Sequence, residues 1–210
     1  MDKICYIVGA GEDCGLDFVP CGDDLVIAAD GGYAALKAAG IVPNVVIGDF
    51  DSLGAAPKGE QVIILPTVKD VTDTYAAIDY ALERGYEIFH LYGCTGGRAD
   101  HTIANIQTAA DLAAKGKRCL IFSQTQIITA ISAGTVIFPE SSTGFLSVFS
   151  YTDTCERVTL KGLKYELEDA QLTNRFPLGV SNEFMGQKAA VTVGRGIAVL
   201  VYLRKNFMAH

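Results

Sequence analysis

The chain has 210 residues, half of them hydrophobic, with 24 acids against 17 bases and a net charge of -7. That length allows one large domain or two small ones, and the apolar fraction argues against disorder. No Lys/Arg run offsets the acidity, which argues against a nucleic-acid surface; an anionic ligand would need a metal ion or a few placed cations.

The first ~125 residues alternate short apolar runs with helical stretches, the signature of a parallel α/β sheet. The spacing predicts strands over Ile4 to Val8, Leu25 to Ala29, Val45 to Ile47, Val62 to Leu65, Ile88 to Tyr92 and Cys119 to Phe122. Continuous apolar runs suit strands covered on both faces. Between them, helices are expected over Tyr33 to Ala39, Thr72 to Arg84 and Ala99 to Lys115, each followed by a glycine. In the last, Ile103, Ile106, Ala110 and Ala113 form an apolar stripe, with His101, Asn105 and Thr108 on another face.

From about Gln126 the texture changes. Ile127 to Ile131, Thr135 to Phe138, Phe145 to Phe149, Arg157 to Leu160, Ala189 to Val193 and Ile197 to Leu203 read as strands separated by Gly, Ser, Pro and Asn. The expectation is a Rossmann-like α/β domain over residues 1–125 and an all-β sandwich over residues 126–210.

Six cysteines form no C-x-x-C pair and no His pair has zinc spacing, which argues against zinc. Cys5 and Cys119 lie inside apolar runs and read as core. The run Ile4 to Val8 is too short for a signal-peptide core, and nothing approaches a membrane span. A soluble, reduced, cytoplasmic protein is expected.

The candidate chemistry lies at strand ends, where an open parallel sheet binds ligands. Asp30-Gly31-Gly32 follows the second strand and Gly48-Asp49-Phe50-Asp51-Ser52 the third. Lys69, Asp70 and Asp73 follow the fourth, and Gly93-Cys94-Thr95-Gly96-Gly97-Arg98 the fifth. Asp49 and Asp51, two apart in extended chain, point the same way, and magnesium suits such paired hard donors; an Asx-turn or helix cap would also use them. The glycines allow close backbone approach, the helix N-terminus favours an anion, and Arg98 can clamp a phosphate. His101 reads as a base, a phosphate donor or a hydrogen-bonded helix residue. Gly9-Ala10-Gly11 hints at a dinucleotide loop, but its third glycine is out of register and Glu12, Asp13 and Asp17 would repel a pyrophosphate.

In order and spacing, Asp30-Gly31-Gly32, Gly48-Asp49-Phe50-Asp51-Ser52, Lys69-Asp70-x-Thr72-Asp73 and Gly96-Gly97-Arg98-x-Asp100-His101-x-x-x-Asn105 resemble thiamine pyrophosphokinases. Gly179-Val180-Ser181-Asn182-Glu183-Phe184 is similar to their bacterial members. The resemblance implies pyrophosphate transfer from ATP to the thiamine hydroxyl, releasing AMP, by a homodimer whose active site lies at the subunit interface. It implies Asp49, Asp51, Asp73 and Asp100 as the magnesium and catalytic cluster, with Asp73 also near substrate. Asp30, Gly31, Lys69, Thr95, Gly96, Gly97, Arg98 and His101 would lie along ATP, and Ser181, Asn182 and Phe184 at thiamine. Val68 stands where many relatives carry an acid. The chain also lacks the tryptophan that animal members set against thiamine, so Phe184 or a tyrosine would replace it. The rival readings are a pyrophosphokinase for another alcohol, such as a hydroxymethyl pterin, and a non-catalytic nucleotide or thiamine sensor.

Overall fold

The computed structural model describes residues 3–48, 61–64 and 71–207. They form a mixed, strand-rich fold with few helices. Two compact units partition the chain, Met1–Asn105 with Ile121–Gln124, and Ile106–Leu120 with Thr125–His210.

The first unit is built on parallel strands. β1 (Ile4–Val8), β2 (Leu25–Ala29), β3 (Val45–Gly48), β4 (Gln61–Ile64) and β5 (Ile88–Tyr92) pair in the order β5-β1-β2-β3-β4. β1, β2, β3 and β5 are buried along almost their whole length, which is why they read as unbroken apolar runs. β4 lies at the end of that order and exposes Ile64. Helix α1 (Gly32–Ala38) buries Leu36. Helix α2 (Asp73–Leu82) buries Ala77, Ile78 and Ala81, and its first turn is capped by Thr72, whose Oγ1 accepts from the Tyr75 amide at 3.2 Å. Helix α3 spans Ala99–Ala114. As expected, a glycine with positive φ follows each helix: Gly40, Gly85 and Gly116.

The buried face of α3 is not the expected stripe of Ile103, Ile106, Ala110 and Ala113. Ile103 is 59% exposed, whereas Asn105, Ala109, Ala110, Leu112 and Ala113 are buried. The stripe therefore runs through Asn105, Ala109 and Leu112, spaced four and three apart, and a polar residue occupies its first position.

An aromatic cluster packs within the first unit. Tyr6 stacks on Phe18 at 4.2 Å between ring centroids, and Tyr92 stacks on Phe122, in β6 (Arg118–Phe122), at 4.5 Å. The Tyr92 hydroxyl donates to Asp17 Oδ1 at 3.1 Å. Phe18 and Asp17 thereby anchor the irregular segment that leaves β1, so this segment is held at the carboxyl ends of the strands.

The second unit is antiparallel. Its strands are β7 (Gln126–Phe138), β8 (Phe145–Ser150), β9 (Thr154–Lys161), β10 (Leu167–Thr173), β11 (Gly179–Glu183) and β12 (Ala189–Leu203), and it also holds most of α3 and the start of β6. β7 and β12 are each one long strand where the sequence pattern suggested two. β12 pairs with β7 along its length, but on its other side it meets β9 with its first half and β8 with its second. The change of partner falls at a register shift between Val193 and Ile197, at Gly194-Arg195-Gly196. A β-carbon on Gly196 would lie 2.6 Å from the Thr154 carbonyl, so the bulge requires glycine. The sequence pattern does not reveal β10, because Leu167–Thr173 is mostly polar and buries only Leu172, as an outer strand can. The core gathers Leu146, Val148, Val158, Leu160, Leu172, Val191 and Leu200.

Cys5 and Cys119 are buried as expected, and none of the six cysteines forms a disulfide. Among the described residues no helix is long and apolar enough to cross a membrane.

Candidate functional site

Because β1, β2, β3 and β5 are parallel neighbours, the residues that follow them share one edge. Gly9, Asp30 and Gly93 each come directly after a strand there. A cavity of about 430 Å³ opens at this edge, lined by residues 8–14 with Leu16, Asp30, Gly31, Ala34, Ala35 and Gly93. The Asp49-Phe50-Asp51 motif and Lys69-Asp70 lie outside the described residues.

Asp30 follows β2 with φ +48, a conformation that few side chains adopt. It is held there by its amide, which donates to the Ile47 carbonyl at 2.8 Å, and by its carbonyl, which accepts from Tyr33. A β-carbon on Gly48 would lie 3.1 Å from Asp30 Cα, so Asp30 packs beside the residue that precedes Asp49. A β-carbon on Gly31 would lie 2.9 Å from that of Ala10. Close packing between the turn after β1 and the start of α1 therefore accounts for Gly31.

The two glycine turns are stitched together. Gly9, Gly11 and Glu12 donate their amides to the carbonyls of Tyr92, Gly93 and Thr95 at 2.8, 2.7 and 2.9 Å. The Gly93 amide donates to Cys14 Sγ at 3.4 Å. A β-carbon on Gly11 would sit 2.5 Å from the Gly93 carbonyl oxygen and 2.7 Å from that of Thr95. Gly9-Ala10-Gly11 thus serves close approach to the second glycine loop, a role that the dinucleotide comparison misses. Gly96 and Gly97 take positive φ. Gly96 abuts the Glu12 side chain. Thr95 is buried and uses its carbonyl in the stitching.

Arg98 emerges from this loop into solvent. Its guanidinium grips Asp100 with Nη2 at 2.6 Å from Oδ2 and Nε at 3.2 Å from Oδ1. The hydrogen bond and charge of Arg98 hold the Asp100 carboxyl below its usual range, and Asp100 raises Arg98 in return. Asp100 Oδ1 also accepts from the amide of His101, whose side chain is exposed. Asp73 is the first residue of α2. Arg98, Asp100, His101 and Asp73 do not line the cavity. Among the described residues no three His, Cys, Asp or Glu side chains gather as a metal site. The carboxylates that the sequence singles out are nevertheless hard oxygen donors of the kind magnesium takes.

In the second unit, Ser181 has φ +56, with its amide donating to Ser147 Oγ at 3.0 Å. Asn182 is buried, and its amide group clasps the backbone of Tyr165. Phe184 is 9% exposed with its ring centroid 5.1 Å from that of Phe138, so it belongs to the core. Tyr165 is 60% exposed. The sequence alone offers Phe184 or an unspecified tyrosine for the aromatic role; the contact that braces exposed Tyr165 joins residues seventeen apart in sequence.

A glycine-rich loop and an arginine at the carboxyl edge of parallel strands, leading into a helix, are an arrangement suited to an anion. The family model for the thiamin pyrophosphokinase catalytic domain matches residues 22–121, and that for the vitamin B1 binding domain matches residues 135–198. Thiamine pyrophosphokinase of Bacillus subtilis is 31% identical over 188 residues, 84% of this chain and 86% of that protein. The chain belongs to the thiamine pyrophosphokinase family. A crystal structure of the Bacillus subtilis protein superposes with a TM-score of 0.84 at 28% identity, covering 96% of this chain and 99% of that one. The thiamin pyrophosphokinase of Geobacillus thermodenitrificans gives 0.83 at 27%, covering 96% and 97%.

Proposed function

We propose that the protein transfers pyrophosphate from ATP to the hydroxyl of thiamine, giving thiamine diphosphate and AMP. The observation that carries this reading is the match of both halves of the chain to the two family domains, catalytic and vitamin B1 binding. The thiamine hydroxyl oxygen bonds to the β-phosphorus, the bridge to the α-phosphate breaks, and AMP leaves with the electron pair. A carboxylate takes the hydroxyl proton. Such transfers need positioning and charge neutralisation more than covalent chemistry from the protein.

In this reading residues 1–125 form a Rossmann-like nucleotide domain and residues 126–210 a β-sandwich that takes thiamine. Asp49, Asp51, Asp73 and Asp100 would hold magnesium, which supplies positive charge to the polyphosphate. Asp30, Gly31, Lys69, Thr95, Gly96, Gly97, Arg98 and His101 lie along ATP. Arg98 would exchange its grip on Asp100 for a phosphate, to which its planar fork is equally suited. Ser181 meets thiamine, with its strained φ in support. Tyr165, exposed and braced by Asn182, takes the aromatic role given to Phe184 on sequence grounds.

The protein acts as a homodimer with the active site at the subunit interface. Phe145, Phe149, Phe176, Leu178 and Val180, all exposed around β8 and β11, support a partner-covered surface. Six cysteines without a disulfide suit a reducing cytoplasm.

The test is incubation with ATP, magnesium and thiamine, with AMP and thiamine diphosphate separated by chromatography. Both products should appear together, and Asp51→Asn should abolish them. Turnover of a hydroxymethyl pterin instead of thiamine, or ATP binding without AMP release, would replace this reading. Light scattering should give twice the chain mass; a monomer would remove the homodimer.

A further inference from the structure

Four consecutive carbonyls run through the turn that follows β5, those of Tyr92, Gly93, Cys94 and Thr95, and each accepts a hydrogen bond. Three of the donors are the backbone amides of Gly9, Gly11 and Glu12. The fourth is a side chain: Asn105 Nδ2 donates to the Cys94 carbonyl at 2.8 Å. Asn105 is 6% exposed and Cys94 5%, so this bond is made away from water. Asn105 stands in the second turn of α3, and its bond joins the entrance of the glycine loop to the helix that the loop opens into. Residues 94–105 are thereby closed into a ring that carries Gly96, Gly97, Arg98 and Asp100.

We infer that Asn105 is a positioning residue for the reaction, holding the glycine loop so that Arg98 is presented to the polyphosphate. The inference rests on the proposed function. Two chemical facts favour it over simple core filling. The stripe from Asn105 through Ala109 to Leu112 is otherwise apolar, and a buried amide is costly there unless it is hydrogen-bonded, as Asn105 is to the Cys94 carbonyl. The glycines at 96 and 97 give the loop wide backbone freedom, so its shape depends on bonds at its ends. Asn105 acts through the Cys94 carbonyl and has no contact with reacting atoms to make.

Asn105→Ala and the near-isosteric Asn105→Asp remove the donor. Each should raise the KM for ATP by about tenfold or more, as expected when a buried carbonyl loses its partner. The KM for thiamine should stay within about twofold, since the loop is not expected at thiamine. Lowering the pH should partly rescue the Asp variant, because a protonated carboxyl can donate again, and should not rescue the Ala variant. Amide hydrogen exchange should quicken at Gly11 and Glu12, which bond the same loop, while β7 and β12 keep wild-type protection. Unchanged kinetics with unchanged exchange would overturn the inference, as would failure of both variants to fold, which would make Asn105 structural. If the wild type forms no thiamine diphosphate, the functional reading fails by itself, and the exchange data still decide whether Asn105 holds the loop.

Discussion

The side chain of Asn182 clasps the backbone of Tyr165 at two points: Nδ2 donates to the Tyr165 carbonyl at 2.7 Å, and Oδ1 accepts from the Tyr165 amide at 2.9 Å. Oδ1 also takes the amide of Glu183. The asparagine is buried and the tyrosine exposed, so a hidden amide fixes the backbone of an exposed aromatic residue. Asn182→Ala should leave both backbone groups short of partners and lower stability by roughly 1–3 kcal/mol. The KM for thiamine should rise more than that for ATP. Tyr165→Phe should retain thiamine affinity and Tyr165→Ala should lose it, since stacking needs the ring and not the hydroxyl. Thermal melts and steady-state kinetics on the three variants check this.

Arg98→Ala should weaken ATP use without altering the melting temperature, because the Arg98 and Asp100 side chains are 72% and 63% exposed and solvent screens their attraction. The pH profile provides a second readout. Arg98 holds the Asp100 carboxyl down, so the carboxylate persists as pH falls and is lost only below the usual carboxylate range. Without Arg98 the carboxyl returns upward, and any acid limb that depends on Asp100 should move to higher pH. Carboxyl NMR titration of both forms measures the shift directly.

Burial pushes the Cys94 thiol from 9.0 up to about 12. Tyr6 and Tyr202 are likewise pushed from 10.0 to about 12, chiefly by burial. Each is raised in the folded state, so its contribution is complete below the unfolded value and is lost as pH climbs through the folded one. Melting temperature should therefore fall progressively between pH 9.0 and about 12, and Cys94→Ala should shallow the early part of that fall. At neutral pH iodoacetamide should label exposed Cys21 and spare Cys94, as peptide mass spectrometry would read.

Gly11→Ala should separate the two glycine turns. The new methyl would meet the carbonyl oxygens of Gly93 at 2.5 Å and Thr95 at 2.7 Å, both backbone atoms that cannot swing aside. A loss of about 1–3 kcal/mol is expected from such overpacking. The Kd for ATP should rise with it, measured by calorimetry beside a chemical melt. Gly15→Ala offers a contrast, since nothing lies within 4 Å of its added methyl and only the φ of +69 resists it.

Much of this protein was legible in the chain. The parallel strands were visible because burial on both faces demands unbroken apolar runs, and β1, β2 and β5 fall on their expected residues. Helix ends were visible because only glycine takes their left-handed turn cheaply. The order of the aspartate and glycine motifs was enough to suggest the family. Tertiary structure decided what depends on pairing at a distance. The bulge at Gly194-Arg195-Gly196 lets one strand replace two, and a polar edge strand such as β10 carries no periodic signal. Asn105 and Asn182 find their partners only in backbone eleven and seventeen residues away. The sequence determined which side chains are candidates for the chemistry, since their types and local spacing are covalent facts. Tertiary structure decided which polar groups hold them, because a buried hydrogen bond exists only once the chain has brought its donor and acceptor together.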